Sequence, residues 1–134
     1  GVDKIIDDYL REITLVSRED SEEVGLGNTW RVVSNNIINR AITTGRINKT
    51  RCIVTCRDEK CKQDCDLRAT TFVLRSLQSG ITTCRDDKRC VKNVLTRIIN
   101  IAQRGDEKVT RYGFGTQYLR SAIAFASRYG FEAK

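Results

Sequence analysis

Six cysteines are the main candidates for reactive side chains in this sequence of 134 residues. They are Cys52, Cys56, Cys61, Cys65, Cys84 and Cys90, all in the middle third of the chain. Thiols bind metals or form disulfides, but a zinc site usually also uses His or a Cys-x2-Cys knuckle, and the sequence contains neither. An even number of cysteines predicts a disulfide framework in an oxidising compartment, and hence a secreted protein without a metal site.

The order of the cysteines also predicts how they pair. Two Cys-x3-Cys pairs are separated by four charged residues, and a spacing of i, i+4 places both sulfurs of a pair on one face of a helix. Across a tight turn, two such pairs can bond outer to outer and inner to inner. The predicted disulfides are Cys52–Cys65, Cys56–Cys61 and, from the remaining cysteines, Cys84–Cys90. An alternative interpretation makes residues 51–56 a short strand, because Ile53 and Val54 are β-branched.

Catalytic chemistry has little support in the sequence. The absence of His removes the Ser-His and Cys-His nucleophile pairs and most catalytic zinc sites. Adjacent carboxylates occur at Asp58-Glu59 and Asp86-Asp87, but these positions in turns and helix starts suit interactions with helix dipoles. The Gly-x-Gly stretches are too short to be phosphate-binding loops. We therefore predict no catalytic residues, no cofactor and no enzymatic activity.

The charge balance predicts an anionic partner. The formal net charge is +7, and Arg outnumbers Lys two to one, which favours bidentate contacts to carboxylate, sulfate or phosphate. Outside the cell this indicates an anionic glycan, an acidic protein receptor or an anionic lipid rather than nucleic acid. If the cysteine turns lie at the same end of the molecule, the densest patch joins Arg57, Lys60, Lys62, Arg85, Lys88 and Arg89. Acidic residues alternate with these cations, so a solvated mixed-charge surface is the alternative.

Two short sequences are repeated in the chain. The cysteine turn of residues 55–61 reappears at 83–90, and each copy leads into a helical pattern, which predicts a duplicated unit of closed turn plus helix. Near the end, Arg111-Tyr112-Gly113-Phe114 and Arg128-Tyr129-Gly130-Phe131 bracket another helical pattern. Either the aromatic rings of this second repeat pack on the bundle while Gly permits a bend, or Arg111, Tyr112, Arg128 and Tyr129 form two similar contact points for a partner.

Helical periodicity covers most of the sequence. We expect helices over residues 2–18, from Thr29 to Gly45, after each cysteine turn as far as Gly80 and Gly105, and around Leu119 to Ala126. This predicts an all-α, single domain of residues 1–134, a disulfide-linked bundle of about five or six helices. No apolar run approaches the roughly 18 residues of a membrane span.

Two further features fit a secreted chain. The sequence contains no Met and opens at Gly1 in a helical pattern, as expected of a mature form after removal of a signal peptide. Asn48-Lys49-Thr50 is an N-glycosylation triplet, so Asn48 is a candidate glycan site, expected at the surface between helices. Neither feature identifies a partner.

A small basic chain with clustered cysteines, an Arg-rich helical body and no catalytic signature resembles the salivary effectors of blood-feeding flies, which include the erythema-inducing vasodilators of black flies. The resemblance covers the general character of the whole chain and implies action on host vessels or haemostasis; it assigns no role to any residue. We therefore expect a secreted, non-enzymatic effector that binds an extracellular target.

The sequence leaves two alternative functions open. A membrane-active protein would suit the basic charge, although saposin-like proteins tie their terminal helices together with cysteines and this chain does not. A carrier of a small apolar ligand would suit a helical bundle with six cysteines, although the cysteine spacing differs from that of insect odorant-binding-like proteins. The oligomeric state is not indicated by the sequence.

Overall fold

The fold is all-α, as predicted. The computed structural model describes residues 29–115 and 117–130, and these residues contain four α-helices and one short 3-10 helix, without a strand. The elements are α1 (Thr29–Val54), α2 (Glu59–Gly80), a 3-10 helix (Ile81–Cys84), α3 (Lys88–Tyr112) and α4 (Leu119–Ser127). The helix predicted for residues 2–18 lies outside the described residues.

The predicted count of five or six helices is not matched within the described residues, which contain four α-helices, and two glycines do not end helices as expected. Gly45 lies inside α1 and Gly105 lies inside α3. A glycine ends a helix when it takes the left-handed conformation, but neither of these has a positive φ. The alternative strand over residues 51–56 is also wrong, since α1 continues to Val54.

Close packing explains why these helix-interior positions are glycines. A Cβ atom at Gly45 would lie 2.3 Å from the side chain of Val73 on α2. A Cβ atom at Gly105 would lie 2.7 Å from the ring of Tyr118. The glycines therefore allow α1 to approach α2 and Tyr118 to pack on α3, although glycine costs about 1 kcal/mol relative to alanine inside a helix.

The three disulfides have the pairing that the sequence predicts. Cys52 bonds Cys65 and Cys56 bonds Cys61, so both link α1 and its following turn to the first part of α2. The third bond joins Cys84 to Cys90 across the turn that precedes α3. No described cysteine is free.

An aspartate in each cysteine turn caps the N-terminus of the helix that follows. The Asp58 carboxylate accepts a hydrogen bond from the backbone N–H of Cys61 (2.8 Å), and the Asp87 carboxylate accepts from those of Arg89 (3.0 Å) and Cys90 (3.4 Å). In both copies the capping aspartate stands three residues before the second cysteine, although the second turn is one residue longer. The duplicated unit is thus a closed turn with an N-cap, followed by a helix.

Helices α1 and α3 run in the same direction, and α2 runs antiparallel to them and packs against both. Their register is set by contacts between residues 59 positions apart: the Nδ2 of Asn93 on α3 donates to the Oγ of buried Ser34 on α1 (2.7 Å). The guanidinium of Arg89 lies 5.6 Å from the Trp30 ring, again at a difference of 59. Residue n of α1 is therefore level with residue n + 59 of α3.

Apolar residues from all of these elements form one core cluster. The least exposed large side chains are Leu77 on α2, Ile81, and Val94, Leu95 and Ile98 on α3. The periodicity predicts this position for Leu77 and for the three α3 residues.

Helix α4 is attached to the bundle mainly through α3. The Asp106 carboxylate accepts hydrogen bonds from the backbone N–H groups of Tyr118 and Leu119, at the start of α4. The Tyr118 hydroxyl donates to the carbonyl of Leu67 on α2 (3.1 Å). Ile123, which the periodicity places on the inner face, is instead 40% exposed. Helix α4 therefore contributes a narrower apolar stripe than expected, with Ala122 and Ala126 buried.

Candidate anion-binding groove

A basic groove lies between α1 and α3, with α2 as its floor. It encloses a volume of about 270 Å³. The lining residues are Ile42, Gly45, Arg46 and Lys49 of α1, Asp66, Ala69, Thr70 and Val73 of α2, and Arg97, Ile101, Arg104 and Lys108 of α3. Five of these side chains are cations, and Asp66 is the single acid among them. The groove therefore has a strongly positive lining.

Helical geometry arranges the cations in two levels. Lys49 is level with Lys108, at the difference of 59 residues that sets the register. One turn back along each helix, Arg46 is nearly level with Arg104, and both lie about 5 Å from the lysine level along the helix axes. Arg97 stands seven residues before Arg104, which is about 10 Å further along α3. The groove thus presents paired cations from opposite walls.

The lysine level is bridged by a buried carboxylate. The Nζ atoms of Lys49 and Lys108 lie 3.0 and 3.2 Å from Oδ1 of Asp66. The hydroxyl of Tyr112 donates to Oδ2 at 3.0 Å. The Asp66 side chain is 9% exposed, whereas those of Lys49 and Lys108 are 41% and 35% exposed. One aspartate on α2 therefore holds both walls of the groove.

These contacts shift the pKa of Asp66 and that of Tyr112. Burial raises the pKa of Asp66, but the hydrogen bonds and positive charges of Lys49 and Lys108 outweigh burial and hold that pKa below its usual value. Burial, together with the hydrogen bond to the Asp66 carboxylate, raises the pKa of Tyr112. At neutral pH, Asp66 is therefore ionised and Tyr112 is a neutral donor, so Asp66 is poorly suited to act as a general acid.

The two wall helices carry most of the positive charge. Helix α1 has five basic residues and no acid, and α3 has seven basic residues and two acids. Residues 1–28 hold eight acids and three bases, a formal charge of −5, so residues 29–134 carry +12 of the total of +7. The groove therefore lies in the basic part of the chain.

The two cysteine turns lie at opposite ends of the bundle, which corrects the predicted common patch. Arg57, Lys60 and Lys62 are at the end where α1 meets α2. Arg85, Lys88 and Arg89 are at the other end, because α2 spans 22 residues, or about 33 Å, between the two turns. The expectation that the repeats share one end fails because a single long helix joins them.

The second turn contacts the start of α1. The guanidinium groups of Arg31 and Arg89 lie 5.3 and 5.6 Å from the centre of the Trp30 ring, and the buried Nε1 of Trp30 has no hydrogen-bond partner among the described residues. Trp30, Arg85 and Asp87 are among the residues that line a second cavity, of about 650 Å³. Arg89 also pairs with Asp87 at 3.6 Å, so part of its charge is already compensated.

The Arg-Tyr-Gly-Phe repeats serve different roles in the structure. Gly113 and Gly130 have φ values of 78° and 75°, so both glycines permit a bend, as expected. Tyr112 packs partly against the core and bonds Asp66, whereas Tyr129 is 46% exposed. Arg111 is exposed, and the guanidinium of Arg128 lies 5.9 Å from the Phe125 ring. The two predicted contact points therefore lie in different environments, and the repeats are not structurally equivalent.

Asn48 lies on the exposed surface of α1 and not between helices. The hydroxyl of Thr50, in the same triplet, donates to the backbone carbonyl of Arg46 at 2.9 Å. Asn48 lies within a helix because α1 continues past Gly45, where the sequence predicted the helix to end.

The sulfurs of Cys56, Cys61 and Cys65 lie within 4.8 Å of one another, a spacing that suits a metal ion. All three sulfurs are bonded in disulfides. Within the described part of the chain, no helix has the length and apolar character needed to cross a membrane.

Sequence reasoning missed the groove cations. Arg46 and Lys49 follow Gly45, where the sequence predicted a helix to end, and Lys108 follows the predicted end at Gly105. These three residues were therefore not assigned to a helix face. Continued helices would have placed Arg97, Arg104 and Lys108 on one face by their spacing of seven and four. Whether these three residues face α1 depends on the register between α1 and α3, and no local sequence pattern determines that register.

No protein-family model matches the chain, and comparison with curated proteins and with solved structures finds no significant match.

Proposed function

We propose that this chain is a secreted, non-enzymatic effector that binds an anionic extracellular partner in the basic groove. The observation that carries the proposal is the arrangement of five cations from two helices around a concave surface with one acid. Three disulfides support a location outside the cell. The sharpest version, suggested by the resemblance to salivary effectors, is action on host vessels or on haemostasis.

A binding role fits the groove better than catalysis does. Its carboxylate is ionised and paired with two lysines, so it offers neither a proton donor nor a free base. Exposed cations at a concave surface instead give electrostatic attraction and hydrogen-bond donors for an anion.

The two alternative functions have less support. A carrier of apolar ligands needs an apolar cavity, and this groove is lined by charged head groups. A membrane-active helix needs a continuous exposed apolar face, and the large exposed apolar side chains of the described residues are Val54, Ile123 and Tyr129. These three are too few to form such a face.

The test measures relaxation of pre-contracted arterial rings and the clotting time of plasma. We compare the unmodified protein with R46A/R104A, which removes two groove charges, and with R40A/R120A. Arg40 and Arg120 are exposed and do not line the groove, so the second variant has the same net charge. Circular dichroism and thermal midpoints check that both variants fold.

We expect activity of the unmodified protein and of R40A/R120A, and loss of activity in R46A/R104A. Equal activity of both variants would reject the groove as the working surface. Inactivity of the unmodified protein in both assays would reject the vascular and haemostatic version.

A further inference from the structure

We infer that the four cysteines around the turn between α1 and α2 form, in their reduced state, a tetrathiolate site for one Zn²⁺ ion. These residues, called the turn cluster below, are Cys52, Cys56, Cys61 and Cys65. The site goes beyond the proposed function, because it lies outside the groove and shares no lining residue with it.

The sulfur atoms of the turn cluster already have the spacing that a metal ion requires. The Sγ atoms of Cys56, Cys61 and Cys65 lie within 4.8 Å of one another. Those of Cys56 and Cys65 belong to different disulfides and are 3.5 Å apart. In a tetrahedral site with Zn–S bonds of about 2.3 Å, neighbouring sulfurs are about 3.8 Å apart. The contact between the two disulfides therefore nearly matches one edge of such a tetrahedron.

Cys52 supplies the fourth sulfur. It is bonded to Cys65 in the oxidised protein and stands one helical turn before Cys56. Cys61 and Cys65 are also one turn apart, at the start of α2. The two i, i+4 pairs thus direct their sulfurs to one centre from two antiparallel elements. Four thiolates complete a structural zinc site without a histidine.

The surroundings of the turn cluster compensate its charge. Four thiolates with Zn²⁺ carry a formal charge of −2. Arg57, Lys60 and Lys62 are exposed cations of the same turn. Cys61 lies in the first turn of α2, where its backbone N–H donates to the capping Asp58 and where the helix dipole favours negative charge. The cations of this turn therefore have a role that does not require an external anion.

The redox state of the chain decides whether the site exists. In the oxidised protein all four sulfurs are paired in disulfides. Before oxidation they are thiols, and an oxidant must remove two electrons and two protons for each disulfide that forms. In the reduced chain, Zn²⁺ forms four Zn–S bonds and four protons are released. Bound zinc would hold these four thiols together and apart from the third pair, Cys84 and Cys90, whose turn lies at the opposite end of the bundle.

A Co²⁺ titration of the reduced full-length chain tests the inference, because Co²⁺ reports its coordination by its absorption. A phosphine in excess, without oxygen, converts each disulfide into two thiols and is itself oxidised to the phosphine oxide with the oxygen of water. We expect one Co²⁺ per chain, with the visible and near-ultraviolet bands of a tetrahedral thiolate site. Zn²⁺ should displace it, whereas the hard cation Mg²⁺ should not. Absence of these bands would overturn the inference.

Three double variants locate the site, and each keeps four cysteines, so the number of thiols is matched. C84S/C90S retains the whole turn cluster and should bind Co²⁺ like the unmodified chain. C52S/C65S and C56S/C61S each remove two ligands. We expect both to lose at least about a hundredfold in affinity, since even the loss of an outer-shell partner costs up to that much. Comparable binding by all three variants would indicate unspecific thiol binding and overturn the inference.

Thermal unfolding followed by circular dichroism gives a readout that does not depend on metal absorption. One equivalent of Zn²⁺ should raise the midpoint of the reduced chain and of reduced C84S/C90S, because metal that binds the folded hairpin stabilises it. The oxidised protein has no free thiol in the turn cluster, so its midpoint should not change. An equal rise in the oxidised protein would place the zinc elsewhere and overturn the inference. Neither result affects the groove, so the proposed function stands or falls separately.

Discussion

Asp66 is the residue on which the groove depends, because it compensates two of the five groove cations from a buried position. Its carboxylate joins Lys49 of α1 and Lys108 of α3 to α2, and it accepts a third hydrogen bond from Tyr112. Without it, the walls would hold five cations that repel one another across the groove.

We expect D66N to destabilise the fold by about 1 to 3 kcal/mol at neutral pH, since it removes charge-assisted hydrogen bonds from two partly exposed lysines. Urea denaturation of both proteins measures this difference. The control D64N removes an exposed i, i+4 pair with Arg68 and should change the free energy of unfolding by less than about 0.5 kcal/mol. An equal effect of both substitutions would contradict the structural role of Asp66.

The stability that Asp66 contributes depends on pH in a defined direction. Its pKa in the folded protein is lowered, so the unfolded chain binds a proton more tightly than the folded one. The contribution is therefore complete above the unfolded value of about 3.9 and is lost as pH falls towards the folded value. The difference in unfolding free energy between the unmodified protein and D66N should be smaller at about pH 2.5 than at pH 7. A difference that grows on acidification would contradict this sign.

At the scale of the elements, local sequence patterns predicted the helices but not all of their ends. The end at Gly80 is confirmed, whereas Gly45 and Gly105 lie inside helices. A glycine at a helix stop and a glycine at a helix crossing have the same appearance in a sequence. They differ in what approaches them, here Val73 and Tyr118, and those contacts exist only after the helices pack.

The cysteine pairing could be predicted because it is decided locally. The disulfides span 13, 5 and 6 residues, so their geometry follows from one turn and the helices beside it. The groove could not be predicted in the same way, since Lys49 and Lys108 meet Asp66 through the packing of three helices. The sequence indicated an anionic partner from its charge, but placed the basic patch at the turns.

Gly105→Ala tests whether packing, and not helix ending, explains this glycine. Alanine usually stabilises a helix interior by about 1 kcal/mol relative to glycine, but here the new Cβ would lie 2.7 Å from the Tyr118 ring. We expect a net destabilisation of about 1 to 3 kcal/mol, measured by urea denaturation. Gly115 has no heavy atom within 4 Å of such a Cβ and no positive φ, so G115A is the control and should have little effect. Stabilisation by G105A would show that Tyr118 moves aside freely.

At the scale of the molecule, the disulfides fix the bundle at both of its ends. Two of them close the end where α1 meets α2, and the third closes the turn before α3 at the opposite end. The groove runs between these two ends, and the closed turns help to orient the helices that form its walls. Its charge also opposes folding, because α1 and α3 are both strongly basic and lie side by side.

Reduction of the disulfides should therefore lower the thermal midpoint strongly. Loops of 13, 5 and 6 residues each constrain the unfolded chain by about 2 to 3 kcal/mol, and the sum is comparable with the whole stability of a small domain. Calorimetry of the oxidised protein and of a reduced, alkylated sample measures the change. C52S/C65S opens the longest loop, so it should cost at least as much as C56S/C61S. An unchanged midpoint after reduction would mean that helix packing alone overcomes the repulsion between the groove walls.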